Sequence, residues 1–401
     1  MSFVIQNARF LSFGVLLAFL SSFGQTYFFG IFRQPISDDL GLNNSEFGLF
    51  YMLVTLGSAF GLTVFGTWID RMPLRGYTVL LILLLSAGCL LMGFSGPLVT
   101  VFLAMVIVRL VGQGLMVHAA MTSMSRYFEK GRGKAVAIAG LGMPIGQALL
   151  PPLAVFLLLQ MDWRTSWFVF AVTTVCLGVP LGWFLLRGHD RRHEHWLACQ
   201  DMEAGQPDTA GPSRRRDVVK DYRFYLLLPA ILVVPFWITA VFFFVADIAA
   251  SVGWTMQDFT GMYWIYMLGA AAVPLLGGAM VDRFGGKRLV PFYPPLMGCG
   301  LLFILAGSGF PAVAGFLIFL GLVLGFAGPV NNAMWAELYG TKHLGEVKSL
   351  ATSILLVSTA LAPYLLGLLL DTGVSLSAIL MAGVTHSFLA ALLALPVALR
   401  A

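Results

Sequence analysis

Arg109 is the one formally charged side chain that falls in the middle of a long apolar run. The nineteen acidic residues all lie at the ends of such runs or in the loops between them. A cation buried in hydrocarbon costs several kcal/mol unless it is hydrated or neutralised. We therefore expect Arg109 to face a central cavity and to attract the carboxylate of a substrate. The alternative is that its guanidinium donates hydrogen bonds to carbonyl and polar groups of neighbouring helices.

Further polar residues accompany Arg109. Gln113 follows it by four positions, so a helix places both on one face. His118 lies nine positions on, about 180° round the helix at ~100° per residue. Asn331 and Asn332 occupy equivalent depth in the second half of the chain. We expect Gln113, Asn331 and Asn332 to contact substrate. His118 is a candidate for proton transfer because imidazole changes charge near neutral pH, although such a histidine is more often a packed hydrogen-bonding residue.

Four other side chains are candidates for the outer half of the same cavity. They are Gln25 and Tyr27 in the first apolar run, and Trp237 and Thr239 at related depth in the seventh. Aromatic residues at helical spacing more often belong to the core or to an interfacial belt. Both readings stay open for these residues.

Catalytic chemistry is not indicated. The sequence has no nucleotide-binding loop, no metal-ligand cluster and no nucleophile–base pair, and its glycines lie in apolar runs or short hairpins. Cysteines 89, 176, 199 and 299 have neither disulfide nor metal-ligand spacing. We expect a protein that is not an enzyme and needs no cofactor or metal.

The elements that position these residues are twelve apolar runs. The chain is 59% hydrophobic and 11% charged, whereas a soluble domain is about a quarter charged. A membrane-spanning helix takes ~20 apolar residues. The sequence predicts twelve spans, at roughly 10–32, 46–68, 77–95, 98–125, 134–159, 165–186, 223–249, 258–280, 289–308, 311–336, 348–370 and 375–399.

Basic residues predict the orientation of these spans. With the N-terminus inside, only Arg33 and Arg164 lie in outer loops, and every other Lys or Arg except Arg109 lies in an inner one. The positive-inside rule then places both termini in the cytoplasm. We expect a multi-pass protein of the plasma (inner) membrane. A net charge of +5 arranged in this way does not indicate nucleic-acid binding.

A constant offset of 212 residues relates the two halves of the chain. It pairs Tyr51 with Tyr263 and Gly66 with Gly278, and it pairs two polar hairpins, 66–75 and 278–287. Parallel repeats of this kind are a known transporter architecture. We predict an all-α membrane protein with twelve transmembrane helices in two pseudo-symmetric six-helix halves. The expected domains are 1–187, a cytoplasmic linker at 188–221, and 222–401.

The hairpins resemble the G-x-x-x-D-R-x-G-R-[RK] pattern of the major facilitator superfamily. The second hairpin departs from that pattern only at Gly286, and the first departs at Pro73 and Leu74. Similarity to the monocarboxylate and oxalate–formate branch is weaker. The resemblance implies a conformational latch between the halves, and an Asp at a helix end can pair with basic loops or a helix dipole. The latch residues are Gly66, Asp70, Arg71, Arg75, Gly278, Asp282, Arg283 and Lys287; the alternative is that the two acids only end their helices.

The expected function is secondary active or facilitative transport of a small organic anion, such as a monocarboxylate, by alternating access. One alternative is an exporter of hydrophobic compounds or drugs. Another is a membrane scaffold or ligand sensor that transports nothing. The expected partners are a small-molecule substrate and the lipid bilayer, with no nucleic acid, and the expected state is a monomer.

Overall fold

The apolar runs fold as helices, because a helix satisfies its backbone hydrogen bonds within one segment where no water is present. The computed structural model describes residues 2–128, 131–189, 215–340 and 344–399, and every regular element among them is helical. Among these described residues, twelve helices are long and apolar enough to cross a membrane, as predicted. They are α1 Phe3–Leu40, α2 Asn44–Arg71, α3 Leu74–Phe94, α4 Leu98–Tyr127, α5 Arg132–Gln160, α6 Trp163–Leu185, α7 Tyr222–Phe243, α8 Met256–Phe284, α9 Gly286–Ala306, α10 Gly309–Tyr339, α11 Val347–Asp371 and α12 Leu376–Leu399.

The described residues divide into two compact units. Unit 1 comprises those of 1–40 and 53–209, and unit 2 comprises those of 41–52 and 210–401. Most of the predicted linker, 188–221, lies outside the described residues; its last part includes a short helix, Arg215–Lys220. A second short helix, Val245–Ser251, follows α7. The first nine residues of α2 thus belong to unit 2, whereas the rest of α2 belongs to unit 1.

The two units share several pairs of helix neighbours, although α8 packs extensively on α10 while the equivalent pair α2 and α4 has few contacts. In unit 1, α1 packs on α5, and α3 packs on both α4 and α6. In unit 2, α7 packs on α11, and α9 packs on both α10 and α12. The 212-residue offset converts one set of pairs into the other, because it carries each helix of the first half onto the helix six places later. The duplication seen in the sequence is therefore also present in the packing.

Short-range caps begin several helices. Asn43 and Glu46 exchange hydrogen bonds at the start of α2, where the Glu46 N–H donates to Asn43 Oδ1 at 2.8 Å. Thr255 and Asp258 form the same capping box at the start of α8. Asp162 caps α6: Thr165 donates to it from its hydroxyl and its backbone N–H, and these bonds lower the pKa of the Asp162 carboxyl.

Two irregular segments cross closely inside unit 1. Helix α1 is interrupted by a 3₁₀ turn over Ser21–Gly24, and α4 is π-helical over Leu110–Met116. They meet at Gly24 and Gly112, where a Cβ on Gly112 would lie 2.7 Å from the backbone nitrogen of Gly24. Glycine is required at this crossing because the neighbouring atoms belong to the backbone and have no side-chain rotamer to change.

The crossing predicts a position-specific cost. Gly112→Ala forces α1 and α4 apart, and overpacking of this kind costs about 1–3 kcal/mol. We expect a lower thermal unfolding temperature for the purified protein, measured by tryptophan fluorescence. Gly114→Ala is the matched control, since the nearest atom to its added Cβ is Leu62 Cδ1 at 3.5 Å. Equal unfolding temperatures for the two variants would contradict the close crossing.

Candidate functional site

Arg109 is buried, with 3% of its surface exposed, and its Nη1 donates to the Gly24 carbonyl oxygen at 3.3 Å. It lies eleven residues into α4, or ~16 Å at ~1.5 Å per residue, which is about half of a ~30 Å hydrocarbon core. This bond is the one that the alternative interpretation of Arg109 predicted. Its acceptor is a neutral carbonyl, so the bond leaves the positive charge of the guanidinium in place.

The acceptor exists because α1 is broken beside it. Gln25 has extended backbone angles, φ −83° and ψ 153°. In an unbroken helix the Phe28 N–H would bond the Gly24 carbonyl, but it donates to the Gln25 carbonyl at 3.1 Å instead. The Gly24 carbonyl therefore needs a donor from another helix, and the Arg109 guanidinium supplies one.

Other polar side chains are buried around the break in α1. Ser21, Ser22 and Thr26 are buried, and so is Gln147 of α5, with 4% of its surface exposed. A Cβ on Gly146, the neighbour of Gln147, would lie 2.0 Å from Ser22 Oγ, which places this part of α5 against the break. Among the described residues, nothing accepts a hydrogen bond from Gln147 Nε2. Unit 1 thus carries a buried polar cluster at the level of Arg109.

The π-helical segment changes the angular relations expected along α4. Gln113 lies inside the segment and His118 follows it. The angles round the helix predicted from 3.6 residues per turn, which put Gln113 on the same face as Arg109 and His118 on the opposite one, therefore do not apply here. Gln113 is half-buried and His118 is exposed. On the first helix, Gln25 is half-buried at the break and Tyr27 is buried just beyond it.

A cavity of about 390 Å³ lies in unit 2 between α7, α10 and α11. Asn331 and Asn332 of α10 line it, together with the half-buried Lys348 of α11 and Trp335. The Tyr293 hydroxyl lies 3.0 Å from Asn331 Oδ1 and 2.9 Å from the Ala230 carbonyl oxygen. The contact with Tyr293 restrains the orientation of the Asn331 amide. The cavity therefore brings one cationic group and two amides together.

The two α7 candidates lie in packed surroundings. The Trp237 indole N–H donates to His386 Nδ1 of α12 at 3.2 Å, and Gly383 of α12 leaves room for the ring, since a Cβ there would lie 3.0 Å from it. Thr239 is buried. Neither residue lines the cavity that contains Asn331 and Asn332.

In the first hairpin, 66–75, Asp70 forms an ion pair with Arg126 at the end of α4. Arg126 also donates to the Ile69 carbonyl at 3.4 Å. Arg75 turns the other way and donates twice to the Leu186 carbonyl, at 3.1 and 2.9 Å. Gly66 is half-buried and Arg71 is exposed. These contacts all lie within unit 1.

In the second hairpin, 278–287, the residue of α10 that contacts the turn is an acid, whereas the residue of α4 that contacts the first hairpin is Arg126. Glu337 accepts from the backbone N–H groups of Gly286 and Lys287, the first two residues of α9, at 2.6 and 2.9 Å. Gly285 permits this turn with φ +82°, a conformation that Pro73 of the first hairpin cannot adopt. Gly278 is half-buried, while Asp282 and Arg283 are exposed, with Arg283 over the Phe284 ring.

Comparison with known proteins identifies the family. The model of the Major Facilitator Superfamily matches residues 14–246 and 226–400, nearly the whole chain. The chain belongs to the Major Facilitator Superfamily. It is therefore a multi-pass membrane transporter rather than an enzyme, and the predicted family is confirmed.

Solved structures of this superfamily share the fold. A bacterial homolog of the human lysosomal transporter Spinster, inward-facing and unoccupied, superposes with a TM-score of 0.66 at 16% identity, covering 98% of this chain and 97% of that one. A variant of the nucleoside transporter NupG gives a TM-score of 0.68 at 12% identity, covering 96% and 99%. Identities this low establish the fold alone, and they confirm the predicted fold class.

A curated relative aligns over a shorter stretch. Monocarboxylate transporter 6 of Mus musculus is 28% identical over 141 residues, which is 35% of this chain and 30% of that protein. The chain thus matches less than a third of that relative's length.

Three residues that the structure places in the candidate cavity, the polar cluster or the second hairpin turn were not predicted from the sequence: Gln147, Lys348 and Glu337. Gln147 gives a signal, because it is the one amide inside the fifth apolar run. Lys348 begins the eleventh run and was therefore assigned to a loop, although the helix already starts at Leu344. Glu337 gives a weaker signal, since an acid at the end of a span usually contacts solvent.

The Glu337 contact predicts a loss of stability. Glu337→Ala removes both acceptors at the N-terminus of α9, where a capping side chain contributes about 1 kcal/mol and its charge ~0.3–1 kcal/mol more. We expect a lower thermal unfolding temperature for the purified protein. Glu337→Gln is the control, because it keeps one acceptor oxygen and the side-chain volume, and it should show an intermediate decrease. Wild-type unfolding in both variants would contradict the capping role.

Proposed function

We propose that this transporter carries small organic anions of the monocarboxylate type across the plasma (inner) membrane by alternating access, with both termini in the cytoplasm. The observation that carries the proposal is the unit 2 cavity, in which Lys348, Asn331 and Asn332 share one concave surface. Its volume of about 390 Å³ falls within the ~300–1,000 Å³ typical of small-molecule sites.

The chemistry of the cavity suits a carboxylate with a short apolar body. The Lys348 ammonium supplies positive charge, and each asparagine amide offers two N–H donors. Hydrogen bonds to an ionised group are stronger than those between neutral groups. The remaining wall is apolar, with Ile231, Val234, Leu324 and Leu355 among its residues. A cargo with one charged end and one apolar end satisfies both surfaces.

Arg109 of unit 1 is a second group that would attract an anionic cargo. Its guanidinium is buried, and the Gly24 carbonyl does not neutralise it. A cation within a membrane helix attracts anionic groups, and a guanidinium binds a carboxylate through two parallel hydrogen bonds. A substrate carboxylate is the counter-ion that we propose, with Gln147, Gln113, Gln25 and Tyr27 contributing polar contacts nearby.

The curated relative points the same way. Its name assigns it to monocarboxylate transport, and 28% identity over 141 residues supports a related substrate class for this chain.

The hairpins keep the role of a latch in this proposal. Asp70 and Glu337 hold the two turns in defined shapes through Arg126 and the start of α9, so that each hairpin is a preformed contact surface.

Export of hydrophobic compounds is the second candidate, and the apolar wall of the unit 2 cavity favours it. The two functions differ in the charge that the cargo must carry. Proteoliposomes separate them when a panel of radiolabelled monocarboxylates is compared with uncharged and cationic lipophilic dyes. Carboxylate flux supports the proposal, whereas dye flux without carboxylate flux would establish the alternative.

Lys348 provides the direct test. Lys348→Gln removes the charge from the cavity, and we expect KM for carboxylate uptake to rise at least about tenfold, the loss of one charge-assisted hydrogen bond of ~1.5–3 kcal/mol. Lys220→Gln is the matched control, because it removes an exposed lysine of the helix Arg215–Lys220. An unchanged KM in Lys348→Gln, with normal folding, would refute the proposed role of the cavity.

Arg109 is tested by binding as well as by flux. We expect Arg109→Gln to abolish carboxylate uptake and to remove the stabilisation that added carboxylate gives to the purified protein in thermal unfolding. Arg109→Lys keeps the charge but loses the planar guanidinium, so its affinity should be intermediate. A folded Arg109→Gln protein with wild-type carboxylate affinity would leave Arg109 with a structural role alone.

A further inference from the structure

Three arginines converge on the end of α6, in the part of unit 1 predicted to be cytoplasmic. Arg75 donates to the Leu186 carbonyl and Arg9 donates to the Arg187 carbonyl, so these two guanidinium groups serve carbonyls at the C-terminal end of the helix. Arg187 is the third. A helix C-terminus favours cations through its dipole, and this explains why the positive charges gather here.

The guanidinium groups also cover two exposed aromatic rings. Arg9 and Arg187 lie 5.6 and 5.5 Å from the centre of the Phe184 ring, and Arg75 lies 5.8 Å from that of Trp183. Trp183 is 52% exposed and Phe184 49%. Exposed aromatic residues beside arginines at the end of a spanning helix are typical of the lipid headgroup region.

A cavity of about 230 Å³ opens beside these residues, between the start of α1 and the residues that follow α6. Gln6, Asn7, Arg9, Arg187 and His189 give it a polar lining, and none of the described residues that line it is acidic. The His189 ring stacks on the Phe10 ring with a centroid distance of 5.3 Å and lies edge-on to the Tyr127 ring at 4.6 Å. The cavity is therefore small, polar and positively charged.

An apolar strip leads away from this cavity along α6. Leu177, Leu181 and Phe184 are exposed. Leu181 and Phe184 have the three-residue spacing of a single helix face, and Leu177 lies just before them in a π-helical segment, Thr174–Gly178. An exposed apolar face on a spanning helix contacts acyl chains. The basic cavity thus lies at the end of a surface suited to hydrocarbon, a combination that matches a phospholipid better than a soluble anion.

We propose that this cavity binds the headgroup of an anionic phospholipid. The phosphate lies between the guanidinium groups of Arg9 and Arg187, which donate charge-assisted hydrogen bonds to its oxygens, while an acyl chain follows Leu181 and Leu177. Because the cavity is formed by the start of α1 and the end of α6, a bound lipid ties the first helix of unit 1 to the last. The inference does not depend on the cargo of the transporter.

Native mass spectrometry of the full-length protein tests the proposal. Detergent-purified protein is incubated with dioleoyl phosphatidylglycerol and dioleoyl phosphatidylcholine in equal amounts, and the bound lipids are counted. We expect phosphatidylglycerol to be retained preferentially. Arg9→Gln combined with Arg187→Gln should reduce that preference about tenfold or more, since each basic residue near the surface contributes to anionic-lipid binding.

The control is a protein with Lys220→Gln and Arg288→Gln, two exposed basic residues predicted to lie on the same side of the membrane. It should keep the wild-type preference. If the double variant unfolds, the single variant Arg187→Gln is measured instead. It keeps the bond from Arg9 to the backbone carbonyl of residue 187, because the substitution changes only the side chain. A wild-type preference in a folded Arg187→Gln protein would overturn the proposal. Displacement of phosphatidylglycerol by millimolar inorganic phosphate would also overturn it, since that result would identify a free-phosphate site.

Discussion

A carbonyl oxygen in the hydrocarbon core has no water to accept from, so a break in a spanning helix requires a donor from another helix. In unit 1 that donor is Arg109. Its bond to the Gly24 carbonyl depends on a close crossing of α1 and α4, and the crossing depends on glycine at positions 24 and 112. A broken helix, a pair of glycines and a buried cation are therefore parts of one arrangement.

The duplicated halves share several helix contacts but differ in where some of their charged residues lie. The 212-residue offset carries Arg109 onto Gly321, where the second unit has only a close glycine contact: a Cβ on Gly321 would lie 3.0 Å from the Cα of Gly269. The cationic residue that lines the cavity of unit 2 is Lys348, on a different helix. The hairpins differ in the same way, because Arg126 on α4 holds an acid, whereas Glu337 on α10 holds backbone N–H groups. Packing between apolar helix faces constrains the repeat, while polar contacts within it have diverged.

The large features were predictable from the sequence because they depend on long, local patterns. The apolar runs predicted twelve spans, and the described residues contain twelve helices that are long and apolar enough to cross a membrane. The family followed from the hairpins. These features need only composition, spacing and the chemistry of a few neighbouring residues.

The details of the site depend on contacts between distant residues, and here sequence reasoning stopped short. The 3₁₀ turn in α1 and the π-helical segment in α4 arise where the two helices cross, so no pattern within either helix shows them. Trp237 bonds to His386 of a helix about 150 residues away. Lys348 was assigned to a loop because it lies where the apolar run begins. The helix starts earlier, at Leu344, so Lys348 is a helical residue.

The positions of the two cations bear on how transport of an anion is coupled. Arg109 is buried, and moving a charged group between environments of different polarity is costly. A bound carboxylate reduces the net charge of the group that is moved. If the cargo is the proposed anion, the loaded transporter changes conformation more readily than the empty one. This asymmetry favours exchange of one anion for another over uniport and needs no titratable acid at mid-membrane depth.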